Sequence, residues 1–192
     1  MVQRPRGTRD FPPAVMNRRL ALERLLEDAA QRHGFSRVQT PVFERLELFT
    51  AKSGPGIVSQ LYAFEDKSER PLTLRPELTA PVMRMVAEEG MQMLPRPLRL
   101  SYYGQCYRYE ESKKGRYREF FQYGVELIGE SGPLAEACSS QELPMGEAFF
   151  RRTSAEVMNS SVCICTTTIA QRGRSHEMPL FALPLATVMA KT

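Results

Sequence analysis

The segment from Arg108 to Glu126, RYEESKKGRYREFFQYGVE, concentrates residue types that can handle a charged ligand. Arg108 precedes a loop carrying Lys113, Lys114, Gly115 and Arg116. Positive charge gathered where two strands turn suits a polyphosphate or a nucleic-acid end, although a solvated hairpin tip has the same composition. Beyond the loop, strand alternation places Gln122, Gly124 and Glu126 on one side and Phe121, Tyr123, Val125 and Leu127 on the other. The apolar side can make a core and the polar side can line a site. An ionised Glu126 inside a strand of aromatic and aliphatic residues needs a partner. Beside Gln122 it would bind a cation or a ring N–H; a buried structural salt bridge is the competing account. The segment LTLRPELTAP, from Leu72 to Pro81, adds Glu77 and Thr79 near a strand-to-helix junction, where ligand-binding groups often collect. For these two alone, helix capping is the simpler reading.

The elements that would position these groups follow from periodicity and punctuation. Between Asn17 and His33, Leu22, Leu25, Leu26 and Ala29 recur at helical spacing, and Gly34 is placed to end the helix. The strand RVQTPVF follows. A second helix is expected from Pro76 to Glu89, with Leu78, Val82, Met85 and Val86 on one face and Gly90 at its end. Pro81 inside the first turns argues for a start a few residues later. Strands are expected at Leu61 to Phe64, Pro71 to Leu74, Pro97 to Tyr109 and Arg118 to Ile128. The last two must be antiparallel, because so short a connection cannot cross back over a sheet.

Composition sets the outer bounds. With 192 residues, 42% hydrophobic and 25% charged, the chain is long enough to bury a core of its own. No apolar run approaches the roughly 20 residues needed to span a bilayer, and the first residues lack a signal-peptide core. A soluble cytoplasmic protein without membrane association is therefore expected. Cys106, Cys138, Cys163 and Cys165 are not spaced like a zinc site, and Cys163-x-Cys165 alone is a weak metal signal, so no metal ligands are assigned. The net charge of +4 permits nucleic-acid binding without requiring it.

The chain changes character near Ala137. All seven tyrosines precede it and three of the four cysteines follow it. Residues 1–137 read as ordered mixed α and β structure. Residues 138–192 carry short apolar pieces, FF, VCIC and LFALPLA, with no sustained period of 2 or 3.6. This stretch is expected to be an atypical tail: a flexible extension, an out-of-frame translation, or else a small subdomain.

Four motifs in order, PRGTRDF (Pro5–Phe11), GFSRVQTPVFE (Gly34–Glu44), LTLRPELTAP and YRYEESKKGRYREFFQYGVELIG (Tyr107–Gly129), resemble the front of a histidyl-tRNA synthetase of the archaeal type. The resemblance covers about residues 4–137. It implies an α+β fold of the class II synthetase kind, an antiparallel sheet flanked by helices, incomplete here, with residues 1–137 carrying motifs 1 and 2. It further implies histidine–tRNA ligase chemistry. Histidine is activated with ATP and magnesium and transferred to the tRNA for histidine, in a homodimer joined through motif 1 (the helix from Asn17 and the strand ending at Pro41). No tightly bound cofactor is implied. Arg108 resembles the motif 2 arginine that contacts the α-phosphate and carries transition-state charge. Glu110 resembles the nearby acid associated with the nucleotide, and Lys113, Lys114 and Arg116 lie in the loop that meets ATP and the acceptor end. Glu77, Thr79 and Gln122 match groups that hold the α-ammonium of histidine, and Glu126 matches the acid that reads the imidazole.

The departures are equally specific. The family's RGLDYY-type histidine loop, GGRYD-type segment, motif 3 and anticodon-binding domain do not follow Ala137. The expectation is a truncated or frame-shifted synthetase of little or no activity, since losing one preorganised charge-stabilising group commonly costs ~10²–10³ in rate. Two alternatives stand beside it: a dimerising or RNA-binding fragment without chemistry, and a regulatory subunit of ATP phosphoribosyltransferase. The second is disfavoured by the presence of Arg108, Gln122 and Glu126, which such paralogues tend to lose.

Overall fold

The computed structural model describes residues 2–53, 55–109, 117–129 and 162–169. A mixed four-stranded sheet runs β1 (Ser36–Arg37), β5 (Leu98–Tyr107), β6 (Glu119–Ile128) and β7 (Val162–Ile169). A three-stranded antiparallel sheet runs β2 (Phe43–Arg45), β4 (Pro71–Leu74) and β3 (Tyr62–Glu65). The helices are α1 (Pro13–Arg32), α2 (Glu47–Ser53) and α3 (Thr79–Glu88), with short 3₁₀ segments at Pro55–Gln60 and Met91–Met93.

The centre of the large sheet is the antiparallel pair β5 and β6, in register from Leu98 opposite Ile128 to Tyr107 opposite Glu119. The outer strands run parallel to their neighbours, β1 to β5 and β7 to β6. Alternation gives each face of the central pair its own helix. On one face Tyr123 and Val125 pack with Leu26, Ala29 and Ala30 of α1 and with Phe35. On the other, Leu98, Leu100, Tyr102, Cys106 and Ile128 pack with Leu78 and with Val82 and Val86 of α3. A third cluster, Phe49, Leu61 and Ala80, joins α2 to the start of α3.

Local chemistry explains most element ends. Proline at the first helical position starts α1 without losing a useful N–H. Gly34, at φ +76°, takes the left-handed turn that stops it, and Gly90, at φ +63°, does the same after α3. The expected apolar stripe of α1 holds at Leu26 and Ala29, whereas Leu25 faces outward. The expected strand RVQTPVF is two strands in two sheets: β1 ends at Arg37 and β2 begins at Phe43, on either side of Pro41, which has no N–H for a ladder. Helix α3 begins at Thr79 rather than Pro76, which leaves Pro81 in its first turn. Within the stretch read as an atypical tail stands β7, whose backbone pairs with β6 from Val162 opposite Phe121 to Ile169 opposite Ile128.

Candidate active site

The polar face of β6 meets the first turn of α3. Gly104 lies opposite Gln122, Tyr102 opposite Gly124, and Leu100 opposite Glu126. Residues from three segments therefore converge where the strand pair passes under the helix start.

A hydrogen-bonded relay crosses this junction. The hydroxyl of Tyr102 donates to Glu126 Oε1 at 3.1 Å, and Thr79 Oγ1 lies 3.2 Å from the same hydroxyl. A phenol carries one proton. With that proton on the carboxylate, the Thr79 hydroxyl is the donor to Tyr102, and the remaining lone pairs of Thr79 Oγ1 can accept from a ligand. Thr79, Tyr102 and Glu126 are all buried. Gly124 makes room for the ring, since a Cβ there would collide with the Tyr102 ring and hydroxyl.

Gln122 is held beside this relay. Its Oε1 accepts the Leu78 backbone N–H at 2.9 Å and the Cys106 thiol at 3.4 Å. A backbone N–H can only donate, so it fixes which end of the amide is oxygen. The Nε2 end is thereby turned away from Leu78 as a donor. Glu77, half-buried, accepts the Ala80 N–H at 3.3 Å through Oε1, which is the capping role its position suggested.

Arg75 supports the whole junction from below. Its Nε donates to the Gln105 carbonyl at 2.7 Å, and its Nη1 donates to the carbonyls of Thr40 at 2.8 Å and Pro41 at 3.0 Å. Burial pulls its guanidinium below the ordinary arginine value, partly offset by the neighbouring Cys106 and Tyr107. Gly104 lets it lie against β5, because a Cβ at that position would meet the guanidinium.

Arg108 sits just past β5. Its backbone N–H donates to the Arg118 carbonyl at 2.9 Å, its Nε donates to the Pro76 carbonyl at 3.0 Å, and its guanidinium lies 5.1 Å from the centre of the Phe120 ring. The Pro76 bond ties it to the segment that carries Glu77 and Thr79. Among the described residues its side-chain hydrogen bond is made by Nε, whereas an end-on forked contact to a phosphate would use the terminal nitrogens.

Of the residues singled out from sequence, Glu77, Thr79, Gln122, Glu126 and Arg108 fall around one strand-to-helix junction. Glu110, Lys113, Lys114 and Arg116 lie outside the described residues. Sequence reasoning missed Tyr102, Arg75 and Cys106. The available signals were Gly124 between two polar residues on one face, which leaves room for a large neighbour opposite, and an arginine at the end of an apolar strand.

This arrangement, an antiparallel central pair covered by helices with polar groups gathered at a helix start, has the fold of class II aminoacyl-tRNA synthetases. The family model for histidyl-tRNA synthetase matches residues 7–157, and the chain belongs to that family. It is 57% identical over 137 residues to a histidine–tRNA ligase of Methanoculleus marisnigri, an overlap of 71% of this chain and 33% of that protein. Among solved structures it resembles apo histidyl-tRNA synthetase of S. aureus, with a TM-score of 0.61 and 36% identity over 71% of this chain and 32% of that one. It also resembles a Bacillus halodurans protein titled as an ATP phosphoribosyltransferase regulatory subunit/histidyl-tRNA synthetase, with a TM-score of 0.64 and 28% identity over 79% of this chain and 38% of that one. The chain spans about a third of the length of the curated relatives it matches. No helix among the described residues is long and apolar enough to cross a membrane.

Proposed function

We propose that this chain carries the amino-acid side of a histidine–tRNA ligase active site, with the first phosphate-binding arginine beside it. The observation that carries the reading is the buried relay Thr79–Tyr102–Glu126 next to the oriented amide of Gln122. In the proposed binding mode Glu126 accepts an imidazole N–H, while Glu77 and Thr79 accept from the α-ammonium. Gln122 is the exception to what the resemblance implies. Its oxygen already takes two protein donors, so its Nε2 donates to the α-carboxylate instead.

These groups would serve the family's two-step reaction, of whose machinery this chain, which spans about a third of the length of its relatives, carries only part, so that its own turnover is expected to be low or absent. The histidine carboxylate oxygen attacks the α-phosphorus of ATP, the bond to the leaving pyrophosphate breaks, and Arg108 stabilises the charge gathered on the α-phosphate oxygens. The 3′-terminal hydroxyl of the tRNA for histidine then attacks the carbonyl and AMP leaves. Among the described residues no group of three or more His, Cys, Asp or Glu is placed to hold a metal ion. The implied magnesium fits as a partner of the nucleotide phosphates. Residues 1–137 are proposed as the part carrying motifs 1 and 2, in a homodimer joined through motif 1 and working in the cytoplasm. The retained histidine-facing cluster supports this reading over a regulatory subunit.

The test is binding by calorimetry with the whole chain. Histidine and magnesium–ATP should each bind; Glu126→Ala should abolish the histidine response and Arg108→Ala the ATP response. Normal binding of both ligands by both variants would make the site assignment wrong.

A further inference from the structure

The motif PRGTRDF at Pro5 to Phe11 has no part in the site described above, yet it is held in place by a dense set of contacts. Thr8 turns back on Pro5, with its N–H and hydroxyl both donating to the Pro5 carbonyl, at 3.3 and 2.8 Å. The turn puts Gly7 at φ +84°, where its carbonyl accepts the N–H groups of Arg118 at 2.8 Å and Glu119 at 3.3 Å. A side chain at Gly7 would be strained by that φ, and its Cβ would stand 2.7 Å from Arg118 Cγ.

Two further contacts fasten the segment. The Arg9 guanidinium lies 3.9 Å from the centre of the Tyr117 ring. Phe11 meets Phe121 edge-on at 6.0 Å, and the buried guanidinium of Arg19, on α1, lies 4.0 Å from the Phe11 ring and 3.5 Å from the Phe121 ring. Arg19 also donates to the Tyr103 hydroxyl at 3.1 Å. Phe11 is thus pinned to the sheet, and the residues before it reach across to the beginning of β6.

Arg118 is the hinge between this segment and the phosphate end of the site. Its N–H goes to Gly7, and its carbonyl accepts the N–H of Arg108. One peptide position therefore joins the amino-terminal segment to the arginine assigned to ATP. We infer that Pro5 to Phe11 is a strap that sets the position of Arg108, with Gly7 and Arg9 as its positioning residues. The inference rests on reading Arg108 as a phosphate ligand.

Arg9→Ala is the first variant, because it removes the guanidinium that lies over the Tyr117 and Phe11 rings without touching the core; Arg9→Lys keeps a cation there, and Gly7→Ala attacks the turn itself. Magnesium–ATP and histidine affinities are measured separately on the full chain, with amide hydrogen exchange followed at Arg108, Arg118 and Val86. Arg9→Ala should weaken ATP binding roughly two- to tenfold, the range exposed cation–π contacts support. Histidine affinity should hold, and exchange should quicken at Arg118 and Arg108 but not at Val86. Arg9→Lys should recover most of the ATP affinity, and Gly7→Ala should lose more than Arg9→Ala. Unchanged ATP affinity in both Arg9→Ala and Gly7→Ala, even with faster exchange, would overturn the strap. Equal losses for ATP and histidine would also overturn it, by showing a general structural role. If the unmodified chain binds no ATP, the reading of Arg108 itself fails and the strap falls with it; the wild-type titration separates that case from the others.

Discussion

Tyr102 donates its hydroxyl to Glu126 across 3.1 Å with both side chains withdrawn from solvent. Because the same oxygen faces Thr79, one phenol sets the hydrogen-bonding state of two residues assigned to the ligand. Tyr102→Phe keeps the ring and removes the link. A hydrogen bond to a charged group contributes about 1.5–3 kcal/mol, and its loss leaves a buried carboxylate less satisfied. The expected outcome is a fall of that size in urea unfolding, together with weaker histidine binding. Unfolding unchanged within a few tenths of a kcal/mol would mean that Glu126 does not depend on Tyr102.

Gly124 has a packing reason to be glycine. It lies opposite Tyr102 in the strand register, and a methyl there would overlap the ring. Gly124→Ala should destabilise by ~1–3 kcal/mol, the range for overpacking. It should also push the Tyr102 hydroxyl away from Glu126, so histidine affinity falls with stability. A Gly124→Ala protein with normal stability and binding would show that the ring has room to retreat.

Gln122→Glu distinguishes the two roles open to that side chain. Glutamate can still accept the Leu78 N–H but cannot donate to a carboxylate. Histidine should bind about tenfold or more weakly, whereas histidinol, which has the ammonium but no carboxylate, should bind as before or more tightly. If both ligands lose affinity together, Gln122 does not discriminate by the carboxylate.

Tyr123 supplies a pH dependence. Burial first, and the Glu27 carboxylate second, push its phenol up to about 12 from an ordinary value of 10.0. The folded value lies above the unfolded one, so the folded state holds the proton more tightly. This stabilisation is whole below pH 10 and is lost as pH rises from there through about 12. Two units correspond to ~2–3 kcal/mol. Unfolding free energies of the wild type and Tyr123→Phe should be compared from pH 9 to 12. The wild type should lose that much more than the variant; parallel curves would assign the alkaline loss to other groups, such as Tyr103 and Tyr107, whose phenols burial also raises.

What was legible in the sequence was mostly local. The period-2 run from Phe121 to Leu127 predicts which residues face α1 and which face α3, and Gly34 and Gly90 mark the ends of two helices, because both signals act within a few residues. The join at Pro41 was misread because β propensity continues through RVQTPVF, while Pro41 lacks the N–H that a ladder there would use. Helix α2 is too short for a periodic pattern to stand out. Tyr102 was not legible for a different reason: its partners Thr79 and Glu126 are 23 and 24 residues away, and nothing in its own neighbourhood marks it as polar machinery. The loop basic groups and Glu110 are outside the described residues, so the nucleotide side of the site rests on Arg108.

Arg75 has a consequence for how the molecule comes apart. Its backbone N–H bonds Val42 ahead of the small sheet, its carbonyl takes the Tyr107 N–H at the end of the large sheet, and its guanidinium spans Thr40, Pro41 and Gln105. Arg75 thus moors each sheet to the other, beside contacts such as Tyr62 against Tyr109, with a planar fork that lysine cannot imitate. The two sheets should therefore melt in one cooperative transition, and Arg75→Lys should broaden that transition or split it before any ligand contact is lost.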